Sequence, residues 1–135
     1  MMNKSVKLGI QGRPDVPPRL FDLVPRYIEK YGYKDCLFAG KVNKQWVKYD
    51  GKKFYEITNS ISYGLLKLGV KKGDRIALIA NNAPEWNMID FAIQQVGAIC
   101  IPIYPTISHD DYKYIFNHSE ASIAFFTNKH LYSKV

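Results

Sequence analysis

Residues 70–106, VKKGDRIALIANNAPEWNMIDFAIQQVGAICIPIYPT, decide the fold class. Gly73-Asp74 marks a turn, and the apolar run that follows it, Arg75 to Ala80, has the length of a buried strand. The next segment, Pro84 to Val96, begins with a proline that suits the first turn of a helix, with Asn82 before it as the cap. Its apolar residues occupy several sides, as in a buried helix. Ala98 to Ile103 is a second strand. Strand, helix and strand with short joints form a βαβ unit, so the sequence predicts an α/β fold with a mainly parallel sheet.

The segments upstream of this unit predict two helices and a hairpin. Helical spacing begins at Arg19, with Pro25 inside it, which predicts a kink or a late start. Two short strands, Asp35 to Ala39 and Gln45 to Tyr49, joined by a loop over Gly40 to Lys44, predict an N-terminal β-hairpin. The helix Gly51 to Leu68 carries one apolar stripe, with Asp50 as its cap. The stripe comprises Phe54, Ile57, Ile61, Leu65 and Leu68.

The segments downstream of the unit predict one more helix, one strand and the opening of a last helix. Ser108 and Asp111 have the spacing of a capping box, and a helix is predicted from there. Asn117 to Glu120 is interpreted as a loop, Ala121 to Phe126 as a strand and Thr127 to Val135 as the start of a helix. Residues 1–18 predict an extended lead-in and residues 19–135 a single domain.

Composition narrows the function classes. The chain has 135 residues and a formal net charge of +7. Its basic residues are scattered, which favours a solvated surface over a footprint for nucleic acid, so no nucleic-acid partner is expected. Cys36 and Cys100 lie in apolar, strand-like segments and are expected to be buried free thiols in a reducing compartment, which indicates a cytoplasmic location. The three histidines lack the spacing of zinc ligands, so no metal site is predicted.

The best candidates for binding are Tyr104, Pro105 and Thr106, because they follow the carboxyl end of a predicted strand in an α/β sheet. A purely structural, proline-bracketed turn remains an equal alternative. Trp86 is expected to anchor the core rather than to stack on a ligand. The glycines are too dispersed for a phosphate-binding loop, and no catalytic residue is predicted.

Several of these motifs, taken together, resemble the N-terminal subdomain of the AMP-forming acyl-CoA synthetases, an adenylate-forming superfamily. The resemblance covers about residues 19–135, and its later motifs are similar to the long-chain fatty acid–CoA ligase branch. The matching segments are Gly73-Asp74-Arg75, Asn82 with Pro84-Glu85-Trp86, Gly97-Ala98, Pro102-Ile-Tyr-Pro-Thr106 and Asn117-His-Ser-Glu-Ala121.

The resemblance implies a two-step reaction. ATP and a fatty acid form an acyl-adenylate and pyrophosphate, and the sulfur of CoA then attacks the acyl carbonyl. The family's phosphate loop, its Y-G-x-T-E segment, its ribose-binding aspartate and its C-terminal lysine do not occur in this sequence. The resemblance therefore implies a truncated fragment of the AMP-binding domain that is inactive by itself; ATP, Mg²⁺ and CoA would serve the full-length enzyme, and none is expected on the fragment.

The resemblance also places Tyr104, Pro105 and Thr106 near the approach of CoA. A stand-alone module that binds an acyl group or CoA without catalysis is the alternative. Because the substrates of this family are apolar, a peripheral contact with a membrane is an open alternative. A sheet cut from its domain is expected to self-associate through its uncovered edges and faces.

Overall fold

The computed structural model describes residues 19–135, so the predicted lead-in at 1–18 lies outside the described residues. A 3-10 turn, Leu20–Asp22, precedes the first α-helix. The helices are α1 Leu23–Tyr31, α2 Gly51–Lys67, α3 Pro84–Gln95, α4 His109–Ser119 and α5 Lys129–Tyr132. The strands are β1 Phe38–Val42, β2 Gln45–Tyr49, β3 Arg75–Ile79, β4 Ile99–Ile103 and β5 Ile123–Phe126.

The predicted parallel sheet is confirmed. Its three strands lie in the order β4-β3-β5, and both pairings are parallel. The central strand β3 is buried from Ile76 to Ile79, with no exposed surface on any of these four residues. A strand in the middle of a parallel sheet is covered on both faces, which explains why β3 is apolar without alternation.

Helices cover both faces of this sheet. On one face, Ile76 packs in a cluster with residues of α2 and α3, among them Leu65 and Ile93. On the other face, Ala77 and Ile79 pack with Tyr112 of α4 and Leu131 of α5. Successive side chains of a strand point to opposite faces, so β3 supplies both clusters.

The predicted hairpin forms, but its first strand is displaced. β1 and β2 pair antiparallel, and β1 runs through Val42 rather than ending at Ala39. The prediction of a loop over Gly40 to Lys44 is wrong because only Asn43 and Lys44 form the turn. Both have positive φ angles, 51° and 66°, as a two-residue hairpin turn with the right twist requires.

The ends of α1 and α2 follow their sequence signals closely. Helix α1 starts late, and Pro25 lies in its first turn, where its missing N–H is tolerated. Asp50 caps α2 by accepting a hydrogen bond from the Lys53 N–H. After α2 the chain turns at Gly69, and Val70 N donates to Leu65 O at 3.1 Å, which completes a Schellman motif.

Around helices α3 and α4, one predicted cap is confirmed, whereas the other predicted cap and one predicted loop are wrong. The capping box of Ser108 and Asp111 is confirmed at the start of α4. The loop predicted over Asn117 to Glu120 is wrong, because α4 continues to Ser119 and ends at Glu120 in the left-handed conformation, with φ of 53°. None of the residues 117–119 breaks a helix. At α3 the capping position belongs to Ala83 rather than Asn82, with no side-chain cap.

The last two predicted elements are confirmed as strand β5 and the short helix α5, and each is a few residues shorter than predicted. Among residues 19–135, no helix is both long enough and apolar enough to cross a membrane.

Candidate ligand-binding site

A cavity lies at the carboxyl ends of β3 and β4 and has a volume of about 1050 Å³. Three segments form its walls: the β1–β2 hairpin, the β3–α3 connection with the first turn of α3 (Ala80 to Asn87), and the end of β4 with the loop after it (Pro102 to Thr106). Because parallel strands end at one edge of a sheet, the loops that follow them meet there, where α/β proteins commonly bind ligands.

The predicted site residues Tyr104, Pro105 and Thr106 all line this cavity. The side chain of Tyr104 is 80% exposed, whereas its backbone is held in place. Tyr112, buried beneath it on α4, donates its hydroxyl hydrogen to Tyr104 O at 3.2 Å. Burial also raises the pKa of Tyr112, so this phenol remains a donor across the ordinary pH range. The loop therefore presents a free aromatic side chain on a fixed backbone.

Both tryptophans of the chain also line the cavity, and the expectation of a core role for Trp86 is wrong. Helix α3 buries Pro84, Met88, Ala92 and Ile93, whereas Trp86 in its first turn is partly exposed. Trp46 lies opposite, on the hairpin, and is 65% exposed. Lys41, its cross-strand partner, places its Nζ 5.1 Å from the centre of the Trp46 ring, within the range of a cation–π contact.

The hairpin wall is joined to the first turn of α3. Tyr49 donates its hydroxyl hydrogen to Glu85 Oε1 at 2.8 Å. This hydrogen bond is the main reason why the pKa of Tyr49 is raised, with burial and the charge of Glu85 as smaller causes. Gly40 lies so close to Pro84 that a Cβ added at Gly40 would be 2.7 Å from Pro84 Cδ. No local sequence pattern predicts this docking, because it joins segments that are distant along the chain.

The donor set does not fit a Mg²⁺ ion. Among the described residues, no three of the His, Cys, Asp and Glu side chains cluster as metal ligands. Cys36 is exposed, contrary to its predicted burial, because β1 begins two residues after it at the open end of the hairpin. Cys100 is partly buried, and burial, with the nearby Asp90 as a second cause, raises its pKa to about 12, which keeps this thiol protonated. The cavity walls offer aromatic surface and hydrogen-bonding groups.

A parallel sheet covered by helices, with an aromatic cavity at its strand ends, defines the chain as an α/β domain. The chain belongs to the family of AMP-binding enzymes, whose model matches residues 25–135. It is 42% identical over 62 residues to the long-chain-fatty-acid–CoA ligase FadD15 of Mycobacterium bovis; this match covers 46% of the chain and 10% of that protein. It is 32% identical over 101 residues to fatty acyl-CoA synthetase A of Dictyostelium discoideum, covering 74% of the chain and 15% of that protein.

Solved structures show the same fold. The fatty acid AMP ligase from Legionella pneumophila matches 85% of the chain and 20% of its own, with a TM-score of 0.72 and 19% identity. The inhibitor-bound N-terminal domain of FACL13 from Mycobacterium tuberculosis matches 59% of the chain and 20% of its own, with a TM-score of 0.57 and 24% identity. The chain thus spans a tenth to a fifth of the length of these relatives.

Proposed function

We propose that the chain is the N-terminal part of an AMP-forming long-chain fatty acid–CoA ligase. Such an enzyme converts ATP, a fatty acid and CoA into acyl-CoA, AMP and pyrophosphate through an acyl-adenylate. The observation that carries the proposal is the family match over residues 25–135, together with relatives that are named as fatty acid–CoA ligases. Cys36 and Cys100, both free thiols, support a cytoplasmic location.

Within that enzyme we propose that Tyr104, Pro105 and Thr106 contribute to the binding of CoA. The support is their position in the cavity and the exposure of Tyr104 above a backbone that Tyr112 holds. A phenol ring offers stacking surface to a planar or apolar part of a ligand. We assign ATP, Mg²⁺ and the acyl chain to parts of the enzyme outside this chain, because the family's phosphate loop, ribose-binding aspartate and C-terminal lysine do not occur in this sequence.

A pyrophosphate-release assay tests the ligase activity. The 135-residue chain and the full-length gene product are each supplied with ATP, Mg²⁺, palmitate and CoA. We expect release from the full-length protein only, because charge developing at phosphorus needs converging cationic or backbone donors. Activity of the short chain would contradict its proposed inactivity. If neither protein released pyrophosphate, the result would contradict the ligase activity and favour an acyl- or CoA-binding module.

The CoA site is tested in the full-length protein with Tyr104→Ala. Loss of one aromatic contact is expected to raise the apparent KM for CoA about threefold to tenfold, with kcat and the KM for ATP little changed. Tyr63→Ala is the matched control, since Tyr63 is 72% exposed on α2 and lies outside the cavity. Unchanged CoA kinetics in Tyr104→Ala would remove the proposed role.

A further inference from the structure

The hairpin is attached to the rest of the domain mainly at its open end. It forms a separate two-stranded sheet, and β1 and β2 are exposed along most of their length. An isolated hairpin is only marginally stable in water, so its position depends on what it packs against. Phe38, the first residue of β1, stacks on Phe54 of α2 with 4.7 Å between the ring centres.

Two further contacts join this hairpin to α3. Tyr49, the cross-strand partner of Phe38, donates a hydrogen bond to Glu85, and Gly40 lies directly against Pro84. Glu85 lies in the first turn of α3, where the helix dipole favours its negative charge. Because Phe38 contacts α2 while Tyr49 and Gly40 contact α3, the hairpin is fixed against both helices.

The attachment residues Phe38, Gly40 and Tyr49 belong to the cavity wall, and Lys41 and Trp46 extend this wall toward the turn of the hairpin. The Lys41–Trp46 pair is three residues along β1 from the Phe38–Tyr49 pair. At a strand rise of about 3.3 Å per residue, this distance is roughly 10 Å. A small tilt at the open end would therefore move the Trp46 ring by a larger amount, and would change the width of the cavity.

We propose that Tyr49 and Glu85 are positioning residues, whose hydrogen bond holds the hairpin, and with it Trp46, as one wall of the ligand cavity. Both side chains also line the cavity, so amide hydrogen exchange in the hairpin measures their effect on the position of this wall separately from any contact with the ligand. The inference rests on the proposed function only in naming CoA as the ligand that this wall helps to bind.

The physical part of the inference is tested by amide hydrogen exchange in the full-length protein. Tyr49→Phe and Glu85→Ala are each expected to speed exchange in β1 and β2 about twofold to tenfold, and the double variant no further, since both remove one hydrogen bond. Glu85→Gln keeps an acceptor and is expected to restore most of the protection. Unaltered exchange, or additive effects of the two single variants, would overturn the inference.

The functional part is tested by the CoA kinetics of the same variants. Tyr49→Phe and Glu85→Ala are expected to raise the apparent KM for CoA about twofold to tenfold, with kcat little changed. Glu85→Gln is expected to have a KM for CoA close to that of the parent. Tyr63→Phe, on α2, is the control. A loosened hairpin with an unchanged KM for CoA overturns the positioning role. That result can be distinguished from failure of the proposed CoA site, because the CoA site is tested by Tyr104→Ala alone.

Discussion

Gly40 lies against Pro84 where the hairpin contacts α3, and it leads to a prediction at the residue scale. In Gly40→Ala the new methyl group would lie 2.7 Å from Pro84 Cδ, so the hairpin or the first turn of α3 must shift. Overpacking of this kind costs about 1–3 kcal/mol of unfolding free energy, which urea denaturation measures.

The control for this substitution is Gly64→Ala. Gly64 lies within α2, and an added Cβ there would meet nothing within 4 Å. Alanine is the better helix former by about 0.5–1 kcal/mol, so this variant is expected to be as stable as the parent or more stable. Equal effects of the two substitutions would show that Gly40 is not sterically restricted.

The hydrogen bond from Tyr49 to Glu85 predicts a pH dependence of stability. It raises the pKa of Tyr49 in the folded protein above that in the unfolded chain. The stabilisation is therefore complete below the unfolded pKa of about 10 and is lost as the pH rises through the higher folded value. The difference in unfolding free energy between the parent and Tyr49→Phe is expected to be constant from about pH 7 to 9 and to shrink above that range. Tyr63→Phe is the control, and a difference that grows with pH would contradict the assignment.

At the scale of elements, two leucines of the apolar stripe predicted for helix α2 differ in their burial. Leu65 is buried against β3 and α3, whereas Leu68 is 72% exposed, although both continue the same helical spacing. Leu65→Ala is expected to cost about 2–5 kcal/mol because it leaves a cavity, and Leu68→Ala about 0.5 kcal/mol or less. Thermal or urea unfolding of the two variants checks this, and similar costs would contradict the packing of α2.

Leu68 also illustrates how far the sequence determines the elements. Periodicity predicted α2 and its apolar face, but the Schellman turn at Gly69 and Val70 ends the helix before Leu68 reaches the core. The extension of α4 over Asn117–Ser119 was missed because polar residues of moderate helix propensity are compatible with a loop or a helix. The capping pairs, in contrast, are local hydrogen bonds, and Asp50 and Ser108 were both predicted correctly.

At the scale of the whole molecule, the sequence predicted one side of the cavity. Tyr104 follows a strand in an α/β sheet, so its position at the strand-end edge follows from topology alone. Trp46 and Trp86 come together there only because the hairpin docks on α3 through Tyr49 and Gly40, which are 36 and 44 residues away from Glu85 and Pro84. No local pattern encodes a contact of that range.

The sheet predicts self-association of the 135-residue chain. In the described part of the chain, β4 and β5 each pair on one side only, and Ile99 on β4 is 48% exposed. An open apolar edge can pair with that of a second copy, so the mass measured by light scattering is expected to rise with concentration. Ile99→Lys is expected to reduce this rise, because a charge on an edge strand opposes pairing. Leu66→Lys, at a position 53% exposed on α2, adds the same charge away from the edge and is expected to have a smaller effect. A parent chain that stays monomeric at high concentration would contradict the exposed edge as a site of association.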